Sequence, residues 1–341
     1  MARSRSGCGM LDGMPFPPPG PPMSRDLGGV EPPDAADRPD AADRPDAADR
    51  PDSTSTPGRR KVRAGRNLPA AIGVGASLGA IIIGTLFTVR ALWVAVVAAA
   101  VCMGTYELVR ALKVSGRRVP LIPLAAGAVA MPVAGYLAGT DGLFVALATT
   151  VLVAFAWRSV EPESKPSADP IDARRLAADY AAIVFTAGYV GFPAGFATLL
   201  TRPPDGPRRV LAFLVVVVAS DIGGYTAGVL SGGRHKMAPT VSPGKSWEGF
   251  AGSAVACVIA GVVTMTWPLH VAVWTGVVLG LACVVAATLG DLGESLLKRD
   301  IGIKDMGNLL PGHGGIMDRL DSLLCAAPVA WLLITAFAPI P

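Results

Sequence analysis

Six acids and four bases crowd a stretch of about thirty residues near the end of the chain. The acids are Asp291, Glu294, Asp300, Asp305, Asp318 and Asp321, and the bases are Lys298, Arg299, Lys304 and Arg319. Asp291, Ser295 and Lys298 stand at i, i+4 and i+7, which puts them on one face of a helix. Asp318 and Asp321 stand at i and i+3, where the last apolar run begins. Between the two groups, Pro311-Gly312-His313-Gly314-Gly315 predicts a rigid turn whose glycines let a ligand approach the backbone. Carboxylate oxygens suit Mg²⁺, which takes one or two protein carboxylates and completes its shell with phosphates and water. Lysine and arginine beside them would neutralise phosphate charge. These are the parts of phosphoryl or nucleotidyl transfer, which needs positioning, a metal and cations but no covalent nucleophile. Single residues have plainer readings, with Glu294 and Arg299 as a surface ion pair and His313 as a turn residue. Those readings do not account for the whole group.

A second polar stretch, SGGRHKMAPTVSPGKSWEG at 231–249, carries Arg234, His235, Lys236, Ser242, Lys245 and Ser246. Its Gly244-Lys245-Ser246 resembles the end of a phosphate-binding P-loop. That motif needs a glycine five residues earlier, where Pro239 stands, and a preceding strand, which the pattern does not predict. What remains is a polar loop shaped by Gly and Pro, able to cradle phosphate through side chains and backbone N–H groups. Asp221 ends the apolar run VLAFLVVVVAS. An acid inside a span costs about 2.5–3.5 kcal/mol on insertion scales, so it faces the bundle interior or a wet cavity, or caps a helix end. Gly223, Gly224 and Gly228 predict close helix packing. Glu107 reads either as a second buried acid or as an interfacial residue.

The elements that position these residues follow from composition. The chain has 341 residues, is 51% hydrophobic and 16% charged, carries a net charge of +4, and has a mean hydropathy of +0.48. Successive apolar runs of spanning length predict an all-α polytopic membrane protein. Nine transmembrane helices are expected, near 69–89, 91–110, 120–139, 142–158, 180–200, 209–231, 249–267, 270–290 and 320–338. Residues 1–67, with the repeat PDAADR, are expected to form a disordered cytoplasmic tail, and 68–341 the catalytic domain. Five scattered cysteines show no metal or disulfide spacing. Only seven of the thirty Lys/Arg residues are lysine, and four of those seven lie between 236 and 304. With the N-terminus inside, and counting the tail only from Arg59 on, twenty Lys/Arg fall on inner segments and only Arg90, Arg202, Arg208 and Arg209 outside. Both chemically rich loops are then cytoplasmic, where nucleotides are.

The pattern Ser295-x₂-Lys298-Arg299-x₄-Lys304-Asp305-x-Gly307-x₂-Leu310-Pro311-Gly312-His313-Gly314-Gly315-Ile316-x-Asp318-Arg319-Leu320-Asp321 resembles the signature of phosphatidate cytidylyltransferases, or CDP-diacylglycerol synthases. Lys236-x₂-Pro239-x₂-Ser242-Pro243-Gly244-Lys245-Ser246-Trp247-Glu248-Gly249, with Asp221 upstream, is similar to that family too. The resemblance is sharp over about 219–321 and diffuse before it. It implies CMP transfer from CTP to phosphatidate, giving CDP-diacylglycerol and pyrophosphate for phospholipid synthesis. It further implies Mg²⁺, with a second cation as an addition, a plasma-membrane location, a homodimer and no nucleic-acid partner. By the motif match, Asp291 and Asp318 would hold the metal. Lys298 and Arg319 would join them in catalysis. Asp221, Ser242, Lys245, Ser246, Ser295, Arg299, Lys304, Asp305, His313, Gly314, Gly315 and Asp321 would contact substrate. Other expectations are a CTP-dependent lipid kinase, a CDP-alcohol phosphotransferase, whose DG…AR…G…D…D pattern is absent, or an ion-coupled transporter, whose inverted repeats are not seen.

Overall fold

The computed structural model describes residues 68–161, 173–307 and 314–340, and in the first helix the side chains of Ser77 and of the residues from Gly79 on. The expected tail at 1–67 and His313 lie outside the described residues. The chain runs α1 (Leu68–Thr88), α2 (Arg90–Val114), α3 (Leu121–Val160), α4 (Ala173–Thr186), a π-helical turn (Ala187–Gly191) and α5 (Phe192–Leu199). It continues through α6 (Gly206–Ser231), β1 (Lys236–Ala238), β2 (Ser242–Ser246), α7 (Trp247–Thr266), α8 (Val273–Ile301) and α9 (Met317–Phe337). Seven of the described helices are long and apolar enough to cross a membrane, with α4, the π turn and α5 together making one of them.

Helix occupies all nine expected segments, but the tally differs at two places. The first is α3, which has 40 residues and would be about 60 Å long if straight. It is not straight: a Cβ placed on Gly127 would collide with Thr150, a residue that a straight helix would hold some 34 Å away. The chain reverses at Gly139, whose φ of 79° and ψ of −155° suit glycine alone. The halves of α3 are therefore the expected spans 120–139 and 142–158, packed back to back. The second is α1, whose described apolar stretch, Gly79–Thr88, is shorter than a span. The π turn lies just before Pro193, which has no N–H to continue the regular ladder.

Small residues set the packing of the C-terminal half. Gly223 and Gly252 bring α6 and α7 together until each backbone touches the other. Gly261, Gly276 and Gly280 do so for α7 and α8, and Gly290 abuts the Asp321 carbonyl between α8 and α9. Lipid gives apolar side chains no reason to leave it, so backbone contact of this kind is what holds membrane helices together. The expected polar loop at 231–249 is more regular than its sequence implied. Lys236 pairs with Ser246 and Ala238 with Ser242 in an antiparallel hairpin. Pro243 is tolerated because a two-strand ribbon is all edge.

The four arginines expected outside belong to the architecture. Arg90 donates to the carbonyls of Thr201, Arg202, Pro203 and Pro204, and Arg208 to Pro268 O. Arg209, only 1% exposed, pairs with Asp205 at 2.8 Å and donates to the carbonyls of Ile334, Ala338 and Pro339. Arg202 lies over Gly139. One end of the bundle is thus stitched by arginine to carbonyl, and the polar hairpin and the loop after α8 lie at the other.

Candidate active site

At that other end, a cavity of about 210 Å³ opens between α6, the β hairpin, α7, α8 and α9. Four of the expected site residues line it: Asp221, Lys245, Ser246 and Asp291. Asp221 points into the cavity from α6, so of its readings the wet-cavity one holds. Lys245 Nζ lies 2.5 Å from Asp291 Oδ2, which ties the hairpin to α8. Ser295 Oγ donates to Asp291 Oδ1 at 3.4 Å, the i, i+4 contact that its spacing predicted.

One turn further along α8, Lys298 Nζ donates to Asp318 Oδ1 at 2.8 Å. The other Asp318 oxygen accepts from the N–H groups of Gly315 at 2.9 Å and Met306 at 3.2 Å. Asp318 therefore gathers the loop from both sides, at the first turn of α9 where the helix dipole favours a negative charge. The α8–α9 crossing at Gly290 and Asp321 brings Asp291 and Asp318 within a turn of the same point. Each carboxylate holds an ammonium group, so the site already places cations against paired hard oxygens. Among the described residues no three His, Cys, Asp or Glu side chains converge to hold an ion alone. Two carboxylates match the share Mg²⁺ takes from a protein when phosphates and water supply the rest, so Asp291 and Asp318 fit that ion.

The remaining expected residues stand elsewhere on the same elements. Ser246 Oγ accepts from Gly249 N–H at 3.1 Å and so caps α7. Arg299 Nε donates to Val241 O at 3.3 Å, pinning the hairpin turn to α8. Ser242 sits half-buried at the start of β2, outside the cavity lining. Lys304 and Asp305 are exposed on the loop, and Arg319 is exposed on the first turn of α9. Gly314 takes a φ of +82° beside Asp318. Asp321 is buried at the helix crossing, where Oδ1 accepts from Ser322 N–H at 2.6 Å.

One acid departs from its sequence reading, and another takes one of the two readings it had. Glu294 makes no surface pair with Arg299. It is 0% exposed, and neither oxygen has a hydrogen-bond partner among the described residues. Its nearest cation is Lys298, at 3.5 Å. Position i−4 from Lys298 was the available signal, but exposure cannot be read from spacing alone. Glu107 resolves as the buried acid: its Oε2 accepts from Met317 N–H at 2.8 Å. No sequence pattern links α2 to the start of α9.

Comparison with known proteins agrees with the geometry. The model of the Cytidylyltransferase family matches residues 70–337. Proteins named phosphatidate cytidylyltransferase from Mycobacterium leprae and Mycobacterium bovis are each 44% identical to this chain over 80% of its length, covering 89% and 90% of their own. One from Staphylococcus saprophyticus is 37% identical over 46% of this chain and 59% of its own. The match takes in every helix from α2 on and both loops that build the site: the chain belongs to the cytidylyltransferase family.

Proposed function

We propose that the protein transfers CMP from CTP to phosphatidate, releasing pyrophosphate and forming CDP-diacylglycerol. A phosphate oxygen of phosphatidate forms a bond to the α-phosphorus of CTP as the bond from that phosphorus to the β-phosphate bridge breaks. The bonding pair leaves with pyrophosphate. The observation that carries this reading is the pair of lysine–carboxylate contacts, Lys245–Asp291 and Lys298–Asp318, at one end of a membrane-spanning bundle. Bringing two polyanions together is the main barrier, and fixed cations in a partly dry site are the means of lowering it. Lys245 and Lys298 hold phosphate oxygens from two sides, and Lys304 and Arg319 add positive charge from the loop and from α9. Asp291 and Asp318 would hold the Mg²⁺, which would supply charge neutralisation at the transferred phosphate.

The cavity is polar at Lys245, Ser246 and Asp291 and apolar at Phe250 and Ala287. That mixture suits a substrate with a charged head and a hydrocarbon body. We place the site on the cytoplasmic face of the plasma membrane. The Lys/Arg asymmetry supports this, as does the employment of Arg90, Arg208 and Arg209 as carbonyl clamps at the other end. A homodimer is part of the same proposal, by family resemblance. The test is to incubate membranes containing the protein with CTP labelled at the α-phosphate, phosphatidate and Mg²⁺. Labelled CDP-diacylglycerol with stoichiometric pyrophosphate is the expected outcome. Release of CDP would indicate phosphoryl transfer instead, and absence of any product would overturn the assignment.

A further inference from the structure

The described ends of the connection between α8 and α9, 302–307 and 314–316, are gathered by two carboxylates, and only one of them belongs to the site described above. Asp318 takes the N–H groups of Met306 and Gly315. Glu107, which lies 210 residues earlier than its partner, takes the N–H of Met317, the first residue of α9. That helix has no side-chain cap of its own: Ile316 stands at the cap position, and its side chain cannot accept a hydrogen bond. An uncapped helix start leaves N–H groups unsatisfied, and a carboxylate there is favoured by both the hydrogen bond and the helix dipole. Burial of Glu107 to 2% exposure costs free energy that an apolar residue at the same place on α2 would not.

Two glycines are shaped around this carboxylate. A Cβ on Gly307 would meet Glu107 and nothing else among its three nearest atoms, with Cδ at 2.5 Å and Cγ at 2.9 Å. A Cβ on Gly315 would meet Glu107 Oε2 at 2.6 Å, Gly307 N at 2.8 Å and Asp318 Oδ2 at 2.9 Å. Neither glycine has a positive φ, so an alanine at either position would suffer from the neighbour and not from its own backbone. Glu107 therefore occupies the space under the loop that the two missing side chains leave open.

We infer that Glu107 is a positioning residue: a strap from α2 that caps α9 and seats the loop, and so fixes where Asp318 and Arg319 meet the phosphates. The inference rests on the reading of Asp318 and Arg319 as part of the phosphate-handling site. Glu107 itself touches no substrate.

The test is a double-mutant cycle in the full-length protein between Glu107→Ala and Gly307→Ala. Glu107→Gln is the conservative control, since its amide oxygen can still accept from Met317. A misplacement of about 1 Å in a catalytic group can cost about 100-fold, so each single alanine variant is expected to lose kcat by one to two powers of ten. The KM for phosphatidate should change little. The double variant should be no slower than Glu107→Ala alone, because the clash at Gly307 is with the side chain already removed. Glu107→Gln should stay near wild type.

Trypsin cleavage at Lys304, without substrates, gives a readout independent of turnover. It should be faster in both single alanine variants and unchanged in Glu107→Gln. Multiplicative losses in the cycle, or unchanged kcat in Glu107→Ala, would overturn the inference. If Glu107→Ala does not accumulate, Glu107→Asp, one methylene too short to reach Met317, carries the same prediction. If the wild type makes no CDP-diacylglycerol, the functional reading fails, while the cleavage comparison still decides the strap.

Discussion

Replacing Lys298 with Met separates what that lysine does for folding from what it does for chemistry. Its ammonium lies 2.8 Å from Asp318 and 3.5 Å from Glu294. Asp318 has two backbone N–H donors to fall back on. Glu294 has none among the described residues and no exposure to water. Lys298 is only half-buried, and removing it strips Asp318 of its ammonium and takes from the buried Glu294 carboxyl its nearest cation, a loss of about 1–3 kcal/mol. At about 2–4 °C per kcal/mol for a domain of this size, the melting temperature should fall by roughly 5 °C. Turnover should fall separately, by about 10²–10³, because a fixed donor to the phosphates is lost. The discriminating variant is Lys298→Met with Glu294→Gln. Glu294→Gln replaces the carboxyl group that loses its nearest cation, and the double variant should recover part of the melting temperature and none of the activity. The assay is thermal unfolding of the detergent-solubilised protein beside CDP-diacylglycerol formation. An unchanged melting temperature in the single variant, or recovered activity in the double, would refute the reasoning.

Three further outcomes are expected. Asp291→Asn should nearly abolish turnover while the protein still inserts and folds, as followed by CDP-diacylglycerol formation and size-exclusion profile. Arg209→Met should lower the melting temperature by roughly 10 °C, since breaking its buried pairing with Asp205 costs about 3 kcal/mol or more, while KM for CTP holds because the residue lies at the far end of the bundle. Ser246→Ala should lose about 1 kcal/mol through the missing cap on α7, and it should raise KM for CTP because the same residue lines the cavity. A change in stability alone would make Ser246 a cap and nothing more.

The site was legible wherever one helix carries its own neighbours. Asp291, Ser295 and Lys298 are brought together by helical period, and Asp221 was marked out by standing where a charge is costly. The break at Gly139-Thr140-Asp141-Gly142 was legible because those residue types interrupt an apolar run. The pairing of Lys245 with Asp291 was not, since it depends on how the hairpin folds over α8. Nor was the hairpin itself, because prolines and glycines normally argue against strands and only a two-strand ribbon, all edge, accepts them. Glu107 lay furthest out of reach. Its role depends on where α2 passes under a loop that comes two hundred residues later, and no periodicity carries that information. Glu294 shows the remaining limit: the same spacing that pairs it with Lys298 fits a solvated face, and only the neighbouring helix decides.

The reversal at Gly139 also bears on how the chain enters the bilayer. Two apolar halves joined by one non-helical residue leave almost nothing hydrophilic between them. Asp141 is the only charge at the tip. An insertion machinery handling these forty residues has no polar loop to translocate and no separate stop to read. The halves can partition sideways as a preassembled pair, held by the contact of Gly127 with Thr150. Lengthening the tip with a charged insert would turn that single event into two.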